Sequence, residues 1–266
     1  MKNIKNKVII ISGDSSGIGL ELVNILKKDN IVYGLSRRNI SSNDYTHFAI
    51  DILDSDKLND TIDNIYKKEG RIDLVISCSG TGISGAIETT PNEDIKYQLD
   101  VNFLGTVNLD KAVLPYLRKD RNGRIVHISS VAAIAPIPFQ SFYSASKAAI
   151  NNYSLALANE VRPFNIKVIT VMPGDVKTNF TSNRKKIEDT NNLYEDRVNR
   201  SVSKMEKDEQ NGQSPIYIAK KIINIINKKN PKNLYTLSFS YKFLAFLIKI
   251  LPTNLVNKIL YRMYAK

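Results

Sequence analysis

Short, uninterrupted apolar runs alternate along this chain with longer stretches in which apolar residues return every three or four positions. The first run, Lys7-Val8-Ile9-Ile10-Ile11-Ser12, is β-branched and carries no polar alternation, which predicts a buried strand. Similar runs predict strands near 31–36, 46–50, 73–77, 124–129, 166–172 and 233–237. Leu20, Leu22, Val23, Ile25 and Leu26 then form a helical stripe. Helices are predicted near 17–28, 54–68, 92–118, 143–162 and 215–228. Strand and helix in alternation predict an α/β fold with a doubly wound, parallel, seven-stranded sheet. Ligands of such sheets bind beyond the carboxyl ends of the strands. Ser12, Arg37, Gly80, Ser130 and Gly174 all follow strand ends, so the special residues converge on one edge.

With 266 residues and 42% hydrophobic content, the chain can bury one full core. Residues 1–238 are read as a single domain and 239–266 as a helical C-terminal extension. The N-terminus passes from Met1-Lys2-Asn3 straight toward the first strand, so a cytoplasmic location without a secretory signal is expected. Cys78 is the only cysteine and is read as a small buried residue.

Charge changes the picture at the C-terminal end. From Ile216 to Lys266 there are nine Lys, one Arg and no acid, which is ten of the net charge of +12. The same stretch is rich in large apolar residues, from Phe239, Tyr241 and Phe243 to Tyr261, Met263 and Tyr264. Lys242, Lys249 and Lys258 interrupt it before a span of ~20 residues is reached, so it does not read as a membrane crossing. Three readings stay open for this tail: peripheral contact with an anionic membrane, a subunit contact, or a flap over an apolar pocket. No nucleic-acid motif accompanies the charge, so no nucleic-acid partner is expected.

The chemistry begins after the first strand. Ser12-Gly13-Asp14-Ser15-Ser16-Gly17-Ile18-Gly19 joins strand to helix, the context a dinucleotide fingerprint requires. Gly13 allows the tight turn, while Gly17 and Gly19 allow backbone and cofactor to approach. The helix N-terminus attracts a pyrophosphate. The second strand ends Gly34-Leu35-Ser36-Arg37-Arg38. An acid near Ser36 would grip the ribose of NAD and repel a 2′-phosphate. Ser36 is neutral, and Arg37 and Arg38 offer planar donors suited to phosphate, so the cofactor is read as NADP(H). Further on, Tyr143 and Lys147 stand four residues apart, on one face of a helix. An ammonium beside a phenol lowers the phenol pKa, which would let Tyr143 exchange a proton with a carbonyl/alcohol pair near neutral pH.

These segments together resemble the classical short-chain dehydrogenase/reductases, from about residue 5 to residue 180. Gly13-x-x-x-Gly17-Ile18-Gly19 matches the glycine motif, with Ser12 where Thr is usual. Asp51-Ile52 matches the pair beside adenine, and Val101-Asn102-Phe103-Leu104-Gly105-Thr106 the helix that carries the family's asparagine. The segment from Gly123 to Ser130 matches the strand delivering the serine, thirteen residues before Tyr143-x-x-x-Lys147. Pro173-Gly174-Asp175-Val176-Lys177-Thr178 matches the turn that holds the nicotinamide carboxamide. The resemblance implies a Rossmann-type fold and a catalytic set of Asn102, Ser130, Tyr143 and Lys147. It implies cofactor contacts from Gly13, Ser15, Ser16, Gly17, Ile18, Gly19, Arg37, Arg38, Asp51, Ile52, Ser79, Gly80, Asn102, Tyr143, Lys147, Pro173, Gly174, Val176 and Thr178. By the same resemblance Ser130 holds the substrate oxygen, Lys147 holds the nicotinamide ribose, and Asn102 holds a water that reconnects Lys147 to solvent. The chain departs from the family at Ser77-Cys78-Ser79-Gly80, where Asn-Asn-Ala-Gly is usual, which puts one structural hydrogen bond at position 77 in doubt.

Residues 180–214 are polar, show no strand pattern, and fall where the family holds a mobile substrate lid. Pro136-Ile137-Pro138-Phe139 would line the other wall. Few charges are expected near the reactive centre, which favours an apolar substrate. The tail is similar to the hydroxysteroid and retinol dehydrogenase-like subgroup, and acyl ketones stay open as well. The resulting expectation is an NADP(H)-dependent oxidoreductase of a secondary alcohol and its ketone, acting as a homodimer or homotetramer. A non-catalytic NADP(H) sensor and a membrane-surface scaffold are the alternatives from other classes. His47 and His127 have no partner motif and are left out of the site.

Overall fold

The computed structural model describes residues 4–191 and 193–266. β1 (Val8–Ser12) leads into α1 (Gly17–Leu26), followed by β2 (Ile31–Ser36), β3 (Thr46–Ala49), α2 (Ser55–Glu69) and β4 (Leu74–Ser77). After a two-residue β5 (Ile83–Ser84), α3 (Asn92–Leu99) and α4 (Gly105–Asp120) are joined by a π-helical turn at Asp100–Leu104. β6 (Gly123–Ile128), α5 (Ser141–Glu160) and β7 (Ile166–Met172) follow. The rest is β8 (Lys185–Lys186), α6 (Arg197–Gln210), α7 (Pro215–Ile226), β9 (Leu234–Thr236), α8 (Phe239–Ile250) and α9 (Thr253–Tyr264).

Seven strands form one parallel sheet in the order β3-β2-β1-β4-β6-β7-β9. Helices cover both of its faces, which is why the strands are apolar without alternation. Successive side chains of β1 divide between the two cores. Val8 and Ile10 pack with Leu58, Ile62, Leu109, Val113 and Leu157 from α2, α4 and α5. Ile9 and Ile11 pack with Leu22, Val23, Ile218 and Ile222 from α1 and α7. The chain winds outward from β1 in one direction to β3 and in the other through β4 to β9, so a crevice opens at the carboxyl ends of β1 and β4. Ser12 is paired there with Leu35 on one side and Ser77 on the other.

All seven expected strands are present, with ends shifted by no more than one residue. Three features differ from expectation. The single helix expected over 92–118 is three segments, because the π-helical turn adds a residue to the helical winding around Asn102. The stretch 180–214 is not free of strand: β8 pairs in parallel with β5. It also holds α6, whose Val198, Val202 and Met205 are buried. Finally, His127 does have partners. Its Nε2 lies 2.9 Å from Asp110 Oδ2 and its Nδ1 2.6 Å from Ser154 Oγ, tying β6 to α4 and α5 deep in the core.

Candidate active site

A cavity of about 930 Å³ opens along the carboxyl edge of the sheet. Its floor is the turn after β1. Gly13 has φ +72°, and a Cβ there would come within 2.7 Å of the Ser79 amide nitrogen. The turn and the segment after β4 therefore lie backbone to backbone. Ser16 enters α1 in extended conformation, and neither a side-chain cap nor an acid in the first turn occupies the helix N-terminus. Its amides at Gly17, Ile18 and Gly19 are left to an anion. Asp14, inside the same loop, is fully buried. Its Oδ2 accepts a hydrogen bond from Tyr45 Oη at 3.1 Å and lies 2.7 Å from His47 Nδ1. His47 Nε2 in turn lies 2.7 Å from the Arg38 carbonyl oxygen. Asp14, Tyr45 and His47 thus tie the glycine turn to β3 and to the loop bearing Arg38. The sequence reading left all three outside the site, because their pairing spans more than thirty positions.

Arg37 and Arg38 reach the cavity at the end of β2. Arg37 Nη1 donates to Tyr97 Oη at 2.6 Å. The Ser36 hydroxyl is buried with no partner among the described residues. Asp51 and Ile52 line the same end, and Asp51 Oδ1 accepts from the Leu53 amide at 3.0 Å. An uncapped helix N-terminus, a glycine cradle, an orphaned hydroxyl and two arginines fit a phosphorylated dinucleotide. At Ser77 the substitution has its expected effect, since the Ser77 hydroxyl is buried without a partner. Cys78 lines the cavity and is half-buried, and burial of its thiol pushes the pKa up to about 12, which disfavours the thiolate at neutral pH.

Ser130, Tyr143 and Lys147 meet at the middle of the cavity. Ser130 follows β6 and accepts from the Ala132 amide at 3.1 Å. Tyr143 and Lys147 share a face of α5, with Lys147 Nζ 5.8 Å from the centre of the phenol ring. Lys147 Nζ donates to the Ile128 carbonyl at 3.0 Å, which anchors it to the end of β6. The expected lowering of the phenol pKa is reversed. Burial raises Tyr143 to about 12, and the hydrogen bond with Ser130 offsets only part of that rise. Burial also lowers Lys147 to about 8. Desolvation is the largest cause of both shifts.

Asn102 stands apart from the other three: it is buried behind the wall and does not itself line the cavity. Its Nδ2 donates to the Thr81 carbonyl and to Ser146 Oγ, each at 3.0 Å, and its Oδ1 accepts from the Thr81 amide at 2.8 Å. Both amide protons are thereby committed to the protein. A Cβ on Gly80 would sit 3.4 Å from Asn102 Oδ1 and 3.6 Å from Lys147 Nζ, so both side chains lie beside Gly80. Every other residue expected at the cofactor, from Gly13 to Thr178, lines the cavity.

The turn after β7 closes the site and meets the tail. Pro173 accepts from the Val131 amide at 2.9 Å. A Cβ on Gly174 would collide with the Tyr241 ring of α8. Tyr241 donates its hydroxyl to the Asp175 carboxylate. Inner residues of α8 and α9 pack with Val131, Ala135 and Met172, and Leu244, Leu247, Ile248, Val256 and Leu260 line the far end of the cavity. The expectation of few charges near the centre is corrected: Asp175, Lys204, Asp208 and Glu209 all line the cavity. Glu209 also pairs with the buried Arg184 and accepts from Thr181 at 2.5 Å. Burial, assisted by Asp208 and Glu209, raises the Asp175 carboxyl above the usual range. Asp175 comes from the turn after β7 and the other three from α6 in the lid, so spacing around Tyr143 gave no sign of them.

Known proteins agree with this geometry. A family model described as short chain dehydrogenase matches residues 7–189. The chain is 43% identical over 231 residues to a 3-ketodihydrosphingosine reductase of Bacteroides thetaiotaomicron, covering 85% of each chain. A short-chain dehydrogenase structure from Streptomyces avermitilis superposes with a TM-score of 0.83 at 24% identity, over 97% of this chain and 96% of the other. The structure of ElxO with NADP bound superposes with a TM-score of 0.72 at 25% identity, over 90% of this chain and 100% of the other. With a family match across most of the sheet and a relative this similar, the chain belongs to the short-chain dehydrogenase family of oxidoreductases.

Proposed function

We propose that this protein is an NADP(H)-dependent reductase of a ketone near the polar head of a long-chain lipid. The substrate class is the one named by its Bacteroides relative, a 3-ketodihydrosphingosine. The observation that carries this reading is the division of the cavity. Asp175 and Glu209 act electrostatically on Tyr143, while aliphatic side chains of α8 and α9 wall another part of the cavity. A long-chain amino ketone has the same division, with amine, hydroxyl and ketone at one end and an alkyl chain at the other. A uniformly apolar steroid or retinoid would make no use of the polar side chains near Tyr143.

The dinucleotide would lie along the sheet edge. Ser15, Ser16 and the amides of Gly17, Ile18 and Gly19 would take the pyrophosphate, and Ser36, Arg37 and Arg38 the 2′-phosphate. Asp51 and Ile52 would flank the adenine, with Ser79 and Gly80 beneath, and Pro173, Gly174, Val176 and Thr178 beside the nicotinamide. When bound, the nicotinamide supplies the hydride. Tyr143 donates the proton to the substrate oxygen, and with a pKa of about 12 the phenol is fully protonated at neutral pH, the state a reduction needs. Ser130 hydrogen-bonds the same oxygen and stabilises its developing charge. Lys147, still mostly charged at neutral pH, stabilises the phenolate left behind. Asn102 acts as a positioning residue, holding Thr81 and Ser146 together beneath Lys147.

Residues 1–238 carry this chemistry, 180–214 serve as the substrate lid, and 239–266 close the apolar end. Among the described residues no helix is long and apolar enough to cross a membrane. A cytoplasmic enzyme in peripheral contact with membrane fits the tail, and exposed Leu104 and Leu155 on α4's lead-in and on α5 support a homodimer or homotetramer. The function is tested by following NADPH oxidation with 3-ketodihydrosphingosine, a steroid ketone and a retinoid, and identifying the products by mass. Turnover is expected with the first, with a product heavier by two hydrogens. Turnover of the steroid or retinoid alone would overturn the substrate assignment, and NADPH binding without turnover of any would favour the sensor.

A further inference from the structure

The outer surface of α8 carries a stripe of six exposed positions: Phe239, Lys242, Phe243, Phe246, Lys249 and Ile250. They recur at steps of three and four, so they share one face. Four are large apolar residues, with Phe239 86% and Phe246 57% exposed. The opposite face, through Leu244, Leu247 and Ile248, lines the cavity. On α9, Ile259 and Met263 do both, since they line the cavity and are 42% and 46% exposed. They form an apolar rim where the cavity meets the outside. A contiguous apolar surface of this kind marks an interaction site.

Charge indicates what covers it. Lys242, Lys249, Lys258 and Arg262 are exposed, and none has an ion-pair partner among the described residues. From Ile216 to Lys266 the chain has no acid at all. A second copy of this face would bring the same positive charge against it. An anionic bilayer satisfies both features, because phenylalanines enter the acyl boundary while lysines meet the headgroups.

We propose that α8 and α9 dock this protein on an anionic lipid surface. The outer stripe of α8 sits at the headgroup–acyl boundary, and the rim at Ile259 and Met263 faces the bilayer, so a lipid ketone enters the cavity without crossing water. The route rests on the lipid-ketone reading above, but the docking does not.

The test is sedimentation of the full chain with phosphatidylcholine vesicles, with and without phosphatidylglycerol. Wild type is expected to bind the anionic vesicles far better and to be released by salt. Lys242→Gln/Lys249→Gln is expected to bind about 30-fold more weakly. Phe243→Ser/Phe246→Ser is expected to lose at least about tenfold. None of these four residues lines the cavity, so NADPH affinity and thermal stability are expected to stay at wild-type values in both variants. Light scattering on the same samples reads the oligomeric state. Absence of wild-type binding to anionic vesicles, equal binding by all three proteins, or an oligomer that the variants dissociate would each overturn the proposal. Because vesicle binding is read without substrate, a failed ketone assay and a failed docking assay are separate results.

Discussion

The two ends of the cavity are built by different means. At the dinucleotide end, strand ends in fixed register deliver backbone: the Gly13 turn against Ser79, the amides of α1, and Lys147 bonded to the Ile128 carbonyl. At the other end, α8 and α9 supply side chains alone. No residue of α8 is fully buried, whereas all five residues of β1 are. Tyr241 crosses between them, packing on Gly174 and donating to Asp175. On the proposed function, the contrast gives chemistry to the rigid end and substrate length to the loosely packed one. A helix held by half-buried side chains opens at lower cost than a strand in a central sheet.

The largest predicted effect lies at the rigid end. Tyr143→Phe keeps the ring against Phe180 and removes only the proton donor. Turnover should fall by roughly 10²–10⁴-fold while NADPH affinity is retained. A rate above about a tenth of wild type with saturating ketone would remove Tyr143 from the role. Next is Arg37→Ala, which should weaken NADPH by about ten- to a hundred-fold and leave NADH nearly unchanged, the worth of a charge-assisted hydrogen bond. Isothermal titration with both cofactors checks this, and equal losses would show that Arg37 does not read the phosphate.

At the other end, Ile248→Trp should fill part of the apolar wall. It should lower kcat/KM for a long-chain ketone by about twentyfold, the worth of two or so excluded methylenes, and leave a short ketone unaffected. Equal losses on both substrates would mean that α8 supports the reactive centre rather than the chain.

The smallest effect is on stability. Lys147 titrates near 8 when folded and near 10.5 when unfolded. Between these values the unfolded chain binds the proton that the folded chain has released, so stability of the cofactor-free protein should rise with pH from about 8 to 9, above which Cys78, raised from 9 to about 12 on folding, offsets the rise. Tyr143 has the same sign as Cys78, with a folded value of about 12 against 10, and turns the trend downward above pH 10. Thermal melts of wild type and Lys147→Met across this range should differ in slope, and parallel curves would contradict the assignment.

The same division explains what the sequence disclosed. Strands buried on both faces advertise themselves as unbroken apolar runs, and the glycine turn is contiguous, so the sheet and the dinucleotide end were legible from residues such as Val8 to Gly19. The π-helical turn at Asp100–Leu104 was not, because its residues fit an ordinary helical pattern. β5 and β8 are two residues each, too short for any periodicity. Asp14 with His47, and Asp175 with Tyr241, are pairings over long separations that only the folded chain brings together. The mixed polar and apolar cavity emerged for the same reason: its acids come from the turn after β7 and from the lid, while its aliphatic wall comes from the tail.

The most direct test of the division of labour is a chain-length series. The kcat/KM of NADPH-driven reduction would be measured for 2-amino-3-ketones that differ only in alkyl length, in wild type and in Ile248→Trp. Wild-type kcat/KM should rise steeply with each added methylene until the chain fills the space between α8 and α9, with the variant reaching its plateau several carbons earlier. A kcat/KM that is independent of chain length, or the same plateau in both proteins, would contradict the assignment of α8 and α9 as the site's measure of substrate length.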